Sequence, residues 1–204
     1  LYWTEKPSLA SAGINQKELS QARRNSTIQT YRSCPFKKKI LIAFQDEKWT
    51  ELLSKVERCW TKKGTTINIP TLGYNKRVNC FVTLFWPSKR IVWNTFDRRR
   101  NIEFSKHMSN LVAYAKRHKI KRIIIFIDWA SYHDTDEVKK FFDEHPLFKV
   151  KWFGKKDPNS NAVELLVNKR LNNAVNINRP NENIAQLIQR TKKFLRYYNS
   201  TYAT

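Results

Sequence analysis

The chain has 204 residues, 41% hydrophobic and 13% aromatic with 7 Trp and 12 Phe, which excludes a disordered polypeptide and suffices for one sizeable domain with arms or for two small ones. Its apolar runs, such as Ile123–Ile127, fall far short of the roughly 18 residues that a membrane-spanning helix needs. Thirty-nine Lys and Arg against 17 Asp and Glu leave a net charge of +22, a surplus that repels itself unless a polyanion offsets it, so nucleic acid is the leading partner and no membrane is expected.

The basic residues recur in clusters: Lys37, Lys38 and Lys39; Arg98, Arg99 and Arg100; residues 116–122; Lys155 and Lys156; residues 190–196. A single charge run is usually a solvated face, but five in one chain point to phosphate contact. Cys34, Cys59 and Cys80 are odd in number and widely spaced, unlike a zinc site or a disulfide framework, and fit a reducing interior. The only methionine is Met108 and the chain opens at Leu1, which reads as a piece of a longer protein.

In chain order, residues 1–36 are polar with a short helical possibility around 16–24, and read as a linker or arm. Ile40, Leu41, Ile42, Ala43 and Phe44 form a short apolar run typical of a strand covered on both faces, ending at Asp46. Residues 47–74 read as irregular. Two β-rich runs, 77–86 and 90–96, are joined across Pro87, Ser88 and Lys89 as a hairpin. A helix over 101–118, a buried strand over 121–127 ending at Asp128, a helix over 135–144 and a strand over 148–153 follow. A polar turn at 154–160 leads to a helix from Ala162 to about Ala174, with Val163, Leu166, Val167 and Ala174 as its apolar stripe, and the last helix covers roughly 183–198. Three antiparallel strands followed by alternating helices and strands describe an α/β, ribonuclease H-like mixed sheet flanked by helices, although a flavodoxin-like sheet shares the second half.

In such sheets reactive groups gather outside the carboxyl ends of the strands, where Asp46 and Asp128 are expected. Each aspartate has two readings, a metal ligand or an Asx-type cap of the turn leaving its strand. Glu47 should point to the opposite face and is the poorer ligand. Glu164, at the edge of its helical stripe, is the third candidate, with Asp157 its rival; Asn161 three positions earlier makes N-x-x-E, so Glu164 is also readable as half of a capping box. Three convergent carboxylates repel one another unless a hard cation such as Mg²⁺ or Mn²⁺ neutralises them. Two such ions suit in-line displacement at a phosphodiester.

Four pieces of sequence then resemble one family. Residues 44–49, FQDEKW, and 60–64, WTKKG, resemble the first-aspartate motif of DDE transposases of the mariner and insertion-sequence superfamily and the W-x-x-x-G after it. Asp128 with His133 resembles the second motif, and residues 158–164, PNSNAVE, the third, with 35 residues between Asp128 and Glu164. Trp129 stands where that family usually has Asn, and Ala162 where it usually has Pro. The resemblance implies a catalytic domain over 37–199 with Asp46, Asp128 and Glu164 as catalytic, metal-binding triad for two Mg²⁺ or Mn²⁺ ions. It also implies double-stranded DNA as substrate, a homodimer on DNA, and an inserted arm at about 48–74 that meets a second subunit or DNA through Trp49 and Trp60. His133 and Asn161 are supporting candidates. The expected activity is cleavage at element ends with strand transfer, in the cytoplasm of a prokaryote or the nucleus of a eukaryote. The alternatives are an inactive transposase-derived DNA-binding protein and a nuclease of the same fold without strand transfer.

The charge generates the first prediction. If about six phosphates are neutralised, non-specific DNA affinity falls roughly a thousandfold between about 50 and 200 mM salt. Fluorescence anisotropy across that range checks it, and a flat response counts against nucleic acid.

Overall fold

The structure, a computed structural model, describes residues 39–154 and 161–204, together with 18, 21–22, 24–26 and 28–29. Those between 18 and 29 are helical, and Ile28 packs against the core. Lys37, Lys38, Cys34, Lys155, Lys156 and Asp157 lie outside the described residues.

Five strands, β1 (Ile40–Glu51), β2 (Arg77–Trp86), β3 (Ile91–Phe96), β4 (Arg122–Ile127) and β5 (Phe148–Trp152), form one sheet in the order β3-β2-β1-β4-β5. β1 pairs antiparallel with β2, and β2 with β3, whereas β1–β4 and β4–β5 are parallel. This is the ribonuclease H-like order expected, three antiparallel strands followed by parallel ones. Helices α1 (Asn101–Arg117) and α2 (Asp136–Glu144) cover one face; α3 (Lys169–Val175) and α4 (Ile184–Tyr202) cover the other.

Strand alternation divides the core in two. From β1, Ile42 and Phe44 pack with Val163, Val167, Leu171, Leu187 and Leu195, while Ala43 packs on the other side with Phe104, Met108 and Leu111. β4 alternates the same way, Phe126 joining the first group and Ile123, Ile125 and Ile127 the second. Burying each of these large side chains contributes about 1.5–3 kcal/mol.

Two expectations need correction. β1 does not end at Asp46, and residues 47–51 are not irregular: the strand runs to Glu51, because the antiparallel ladder with β2 supplies partners from Asp46 opposite Val82 to Glu51 opposite Arg77. The apolar run marks only the part covered by β4, whose pairing stops at Phe44 opposite Phe126. The inserted arm therefore starts near Leu52, its base tied to residues 176–178 through a bridge between Lys55 and Ile177 and a hydrogen bond from Glu57 N to Asn178 Oδ1. Second, the helix after Ala162 opens with a π turn, Glu164–Asn168, in which the N–H of Lys169 bonds to the carbonyl of Glu164. That i→i+5 closure takes in one extra residue and shifts the phase of the stripe. Val163, Val167, Leu171 and Val175 are buried, and Ala174 is exposed.

His107 is fully buried on α1, with Nδ1 2.7 Å from Asn94 Oδ1 and Nε2 2.8 Å from Thr83 Oγ1. An amide oxygen only accepts, so Nδ1 carries the proton and Nε2 accepts from the threonine hydroxyl. Burial pushes the imidazole down from its ordinary 6.5 to about 3. Between those values the unfolded chain binds a proton that the folded chain refuses, so this contribution is intact above pH 6.5 and is lost as pH falls towards 3, at about 1.4 kcal/mol per unit. Urea unfolding at about pH 6.5 and 5 should show that loss in the wild type and a shallower one in His107→Gln.

Candidate active site

β1 and β4 run parallel, their pairing ends with Phe44 opposite Phe126, and Asp46 and Asp128 each stand two residues beyond that last pair, near enough for the charge of Asp128 to act on Asp46. Strand alternation gives Asp46 the face of Phe44, while Asp128, just past β4, reaches His133, the partner of Glu47. The rings of Phe44 and Phe126 stack at 5.2 Å, and Phe153 packs on them at 6.3 and 5.7 Å.

The π turn brings Glu164 to the same place. Asn168, one turn on and fully buried, donates from Nδ2 to Asp46 Oδ2 and to Glu164 Oε2, both at 2.8 Å. The two carboxylates are thus within twice that distance of each other. Burial raises the Asp46 carboxyl well above its ordinary value, and the charges of Glu47, Glu164 and Asp128 raise it further, against one hydrogen bond from the Glu47 N–H. The structure brings all three acids together, with Asp128 and Glu164 still open to solvent at 49% and 38% side-chain exposure. The Lys48 ammonium lies 3.9 Å from Glu164 Oε1. A carboxylate pushed up by burial and by three like-charged neighbours, with two open carboxylates nearby, gives a donor set that a hard divalent cation suits, so the residues present fit such an ion.

Neither capping alternative accounts for the acids. Asp128 Oδ1 does accept from Ala130 N, at 3.3 Å, as an Asx cap would, but it also meets His133 Nδ1 at 2.9 Å. Asn161 caps Val163 N and donates to the carbonyl of Gln45, yet Glu164 turns to Asn168 and not back to Asn161, so no capping box closes.

Glu47 points to the opposite face, as strand alternation requires, and there it is buried in a network sequence reasoning missed. Its Oε1 accepts from Gln45 Nε2 at 2.7 Å and from His133 Nε2 at 3.0 Å, and its Oε2 accepts from the Tyr132 hydroxyl at 2.9 Å. His133 thus sits between two carboxylates, with its ring against Phe104 at 4.3 Å. Burial pushes its pKa down, but the hydrogen bonds and charges of Asp128 and Glu47 outweigh this and raise it to about 9. Both ring nitrogens then donate. For Asp128, burial pushes up, but the His133 hydrogen bond and charge, with smaller help from Ala130 N and Arg99, hold it below its ordinary value. Ligating atoms of Glu47, Asp128 and His133 lie within 4.8 Å of one another, yet both His133 nitrogens carry protons donated in these bonds and keep no lone pair for a metal, which makes the group a support for Asp128.

Of the basic candidates, Arg99 lies over the rings of Trp49 (5.2 Å) and Tyr132 (5.8 Å), beside the acids, while Arg77 lies over Trp49 at 5.3 Å. Trp49 therefore anchors arginines at the site. Arg98 is exposed; Arg100 is held by Glu103 through bonds of 3.0 and 2.7 Å. Lys39 precedes β1, at the end of the strand away from the acids, about 20 Å along it. Trp60 stands fully exposed on the arm. Trp129 is 48% exposed, stacks on Trp152 at 4.5 Å and donates from Nε1 to the carbonyl of Phe153 at 2.7 Å.

The family of DDE superfamily endonucleases matches residues 41–188. Among solved structures, the Mos1 transposase paired-end complex with left transposon end is similar with a TM-score of 0.72 at 13% identity, covering 98% of this chain and 59% of that one. The Mos1 mariner paired-end complex with Mn is similar with a TM-score of 0.72 at 14% identity (98% and 60%), and the catalytic domain of Mos1 mariner transposase with 0.62 at 13% (94% and 84%). The chain thus spans about three fifths of the chains in the paired-end complexes. No match is found among curated proteins.

Glu47→Gln removes one of the two charges that hold the His133 proton. In chelator, the His133 midpoint followed by NMR should fall from about 9 by about one unit or more. An unchanged midpoint would show that Glu47 does not act on the imidazole.

Proposed function

Since the chain belongs to the DDE superfamily endonucleases, we propose that it is the catalytic domain of a DNA transposase of the mariner superfamily, cleaving phosphodiesters at element ends and joining the freed 3′-hydroxyl to target DNA. The observation that carries this reading is the setting of Asp46: one Asn168 amide joins it to Glu164, and the charges of Glu164 and Asp128 both reach it. Mos1 structures with Mn and with Mg support a divalent cation.

Asp46, Asp128 and Glu164 would hold two such ions. When bound, these supply activation of the attacking oxygen and stabilisation of the leaving oxygen. The chain's own residues do the rest. His133 fixes Asp128 through Oδ1 and keeps its proton at Nδ1, which holds the carboxylate in one orientation. Arg99, held over the rings of Trp49 and Tyr132, binds the phosphate backbone of double-stranded DNA next to the acids. The arm carries the exposed Trp60 towards DNA or the second subunit of a homodimer, and the protein works where DNA is, in a prokaryotic cytoplasm or a nucleus.

Asp46→Asn and Asp128→Asn should each lower cleavage of a labelled end duplex by a factor on the order of a thousand or more, with DNA binding by gel shift retained. A joined product in the wild-type reaction supports strand transfer, and nicking alone supports a plain nuclease. Unchanged activity in both variants overturns the enzymatic reading in favour of a DNA-binding protein.

A further inference from the structure

Asn168 is completely buried, packed beside Val167 and Leu171, where an apolar residue would serve packing alone. Its amide instead spans Asp46 Oδ2 and Glu164 Oε2 at 2.8 Å each. Both partners are carboxylate oxygens, which accept, so the nitrogen must face them. The carbonyl oxygen Oδ1 is consequently turned away, buried and without a hydrogen-bond partner among the described residues, a cost that packing gives no reason to retain. Glu164 and Asn168 are the first and last residues of the π turn, one turn apart, and both meet the site at β1.

We propose that Asn168 is a positioning residue of the metal site, holding Asp46 and Glu164 assembled before any cation arrives. A neutral amide presents one N–H to each acid and so offsets part of their repulsion with a dipole; a divalent ion then meets ligands already gathered. Removing such a support typically weakens metal affinity by about 10- to 100-fold. The inference rests on the metal-dependent reading above.

The test uses the whole 204-residue chain, with MnCl₂ as probe, calorimetry for affinity and thermal melting in EDTA for the metal-free state. Asn168→Leu should bind Mn²⁺ about tenfold or more weakly than wild type. Asn168→Asp, which puts a fourth carboxylate in the same shape, should melt lower than wild type in EDTA, and Mn²⁺ should close the gap. A purely structural residue would move neither the Mn²⁺ affinity nor the metal dependence of that gap. If Asn168→Leu fails to fold, Asn168→Ser carries the affinity comparison, and Asn168→Asp decides alone should both fail. Wild-type affinity in Asn168→Leu, or wild-type melting of Asn168→Asp in EDTA, overturns the proposal alone. Wild-type protein that takes up no Mn²⁺ overturns the functional reading and this inference with it.

Discussion

Like charges brought together at the end of a sheet must be held there by something, and in this chain that requirement shapes everything around β1. Asp46 and Asp128 both stand just past the last rung between β1 and β4, and Glu164 joins Asp46 through the amide of Asn168. Each added carboxylate raises the cost of ionising Asp46, already high from burial. A site of this kind is stable only if donors and positive charge surround it, and the chain supplies them from both faces of the sheet.

On one face the donor is neutral. Asn168 shares its amide between two acids, and Lys48 sits near Glu164. On the other face it is charged: His133, protonated between Asp128 and Glu47, answers two carboxylates with one cation, and the Tyr132 and Gln45 side chains fill out Glu47. Because Asp46 and Glu47 are adjacent on one strand, a single β-strand carries both halves, one residue up and the next down. A one-residue slip of β1 would exchange them and destroy the site.

The sequence already displays most of the elements, since helix and strand periods are local properties, and α1, β4 and α2 fall within a residue or two of their expected bounds. The two aspartates were legible for the same reason, each standing at the end of an apolar run. What could not be read depends on partners far along the chain. The extension of β1 past Asp46 comes from β2, some thirty residues later, and nothing in residues 47–51 alone announces it. The bond between Glu47 and His133 joins positions 86 apart; the DEKW run marked Glu47 only as an acid on the wrong face. Asn168 was hidden for the same reason, because nothing in its helix announces that Asp46, 122 positions earlier, lies against it.

Beyond the last residues of β4 and β5, Phe153 N still bonds to the carbonyl of Ile127, and the next rung is made by the indole of Trp129 on Phe153 O. A side chain thus completes a ladder that the backbone has abandoned, with Trp152 stacked behind it as a splint. Mutational tolerance at position 129 should accordingly follow the rules for main-chain parts: whatever replaces the indole must reach across to the neighbouring strand, or the sheet comes to an end one rung sooner, beside Asp128.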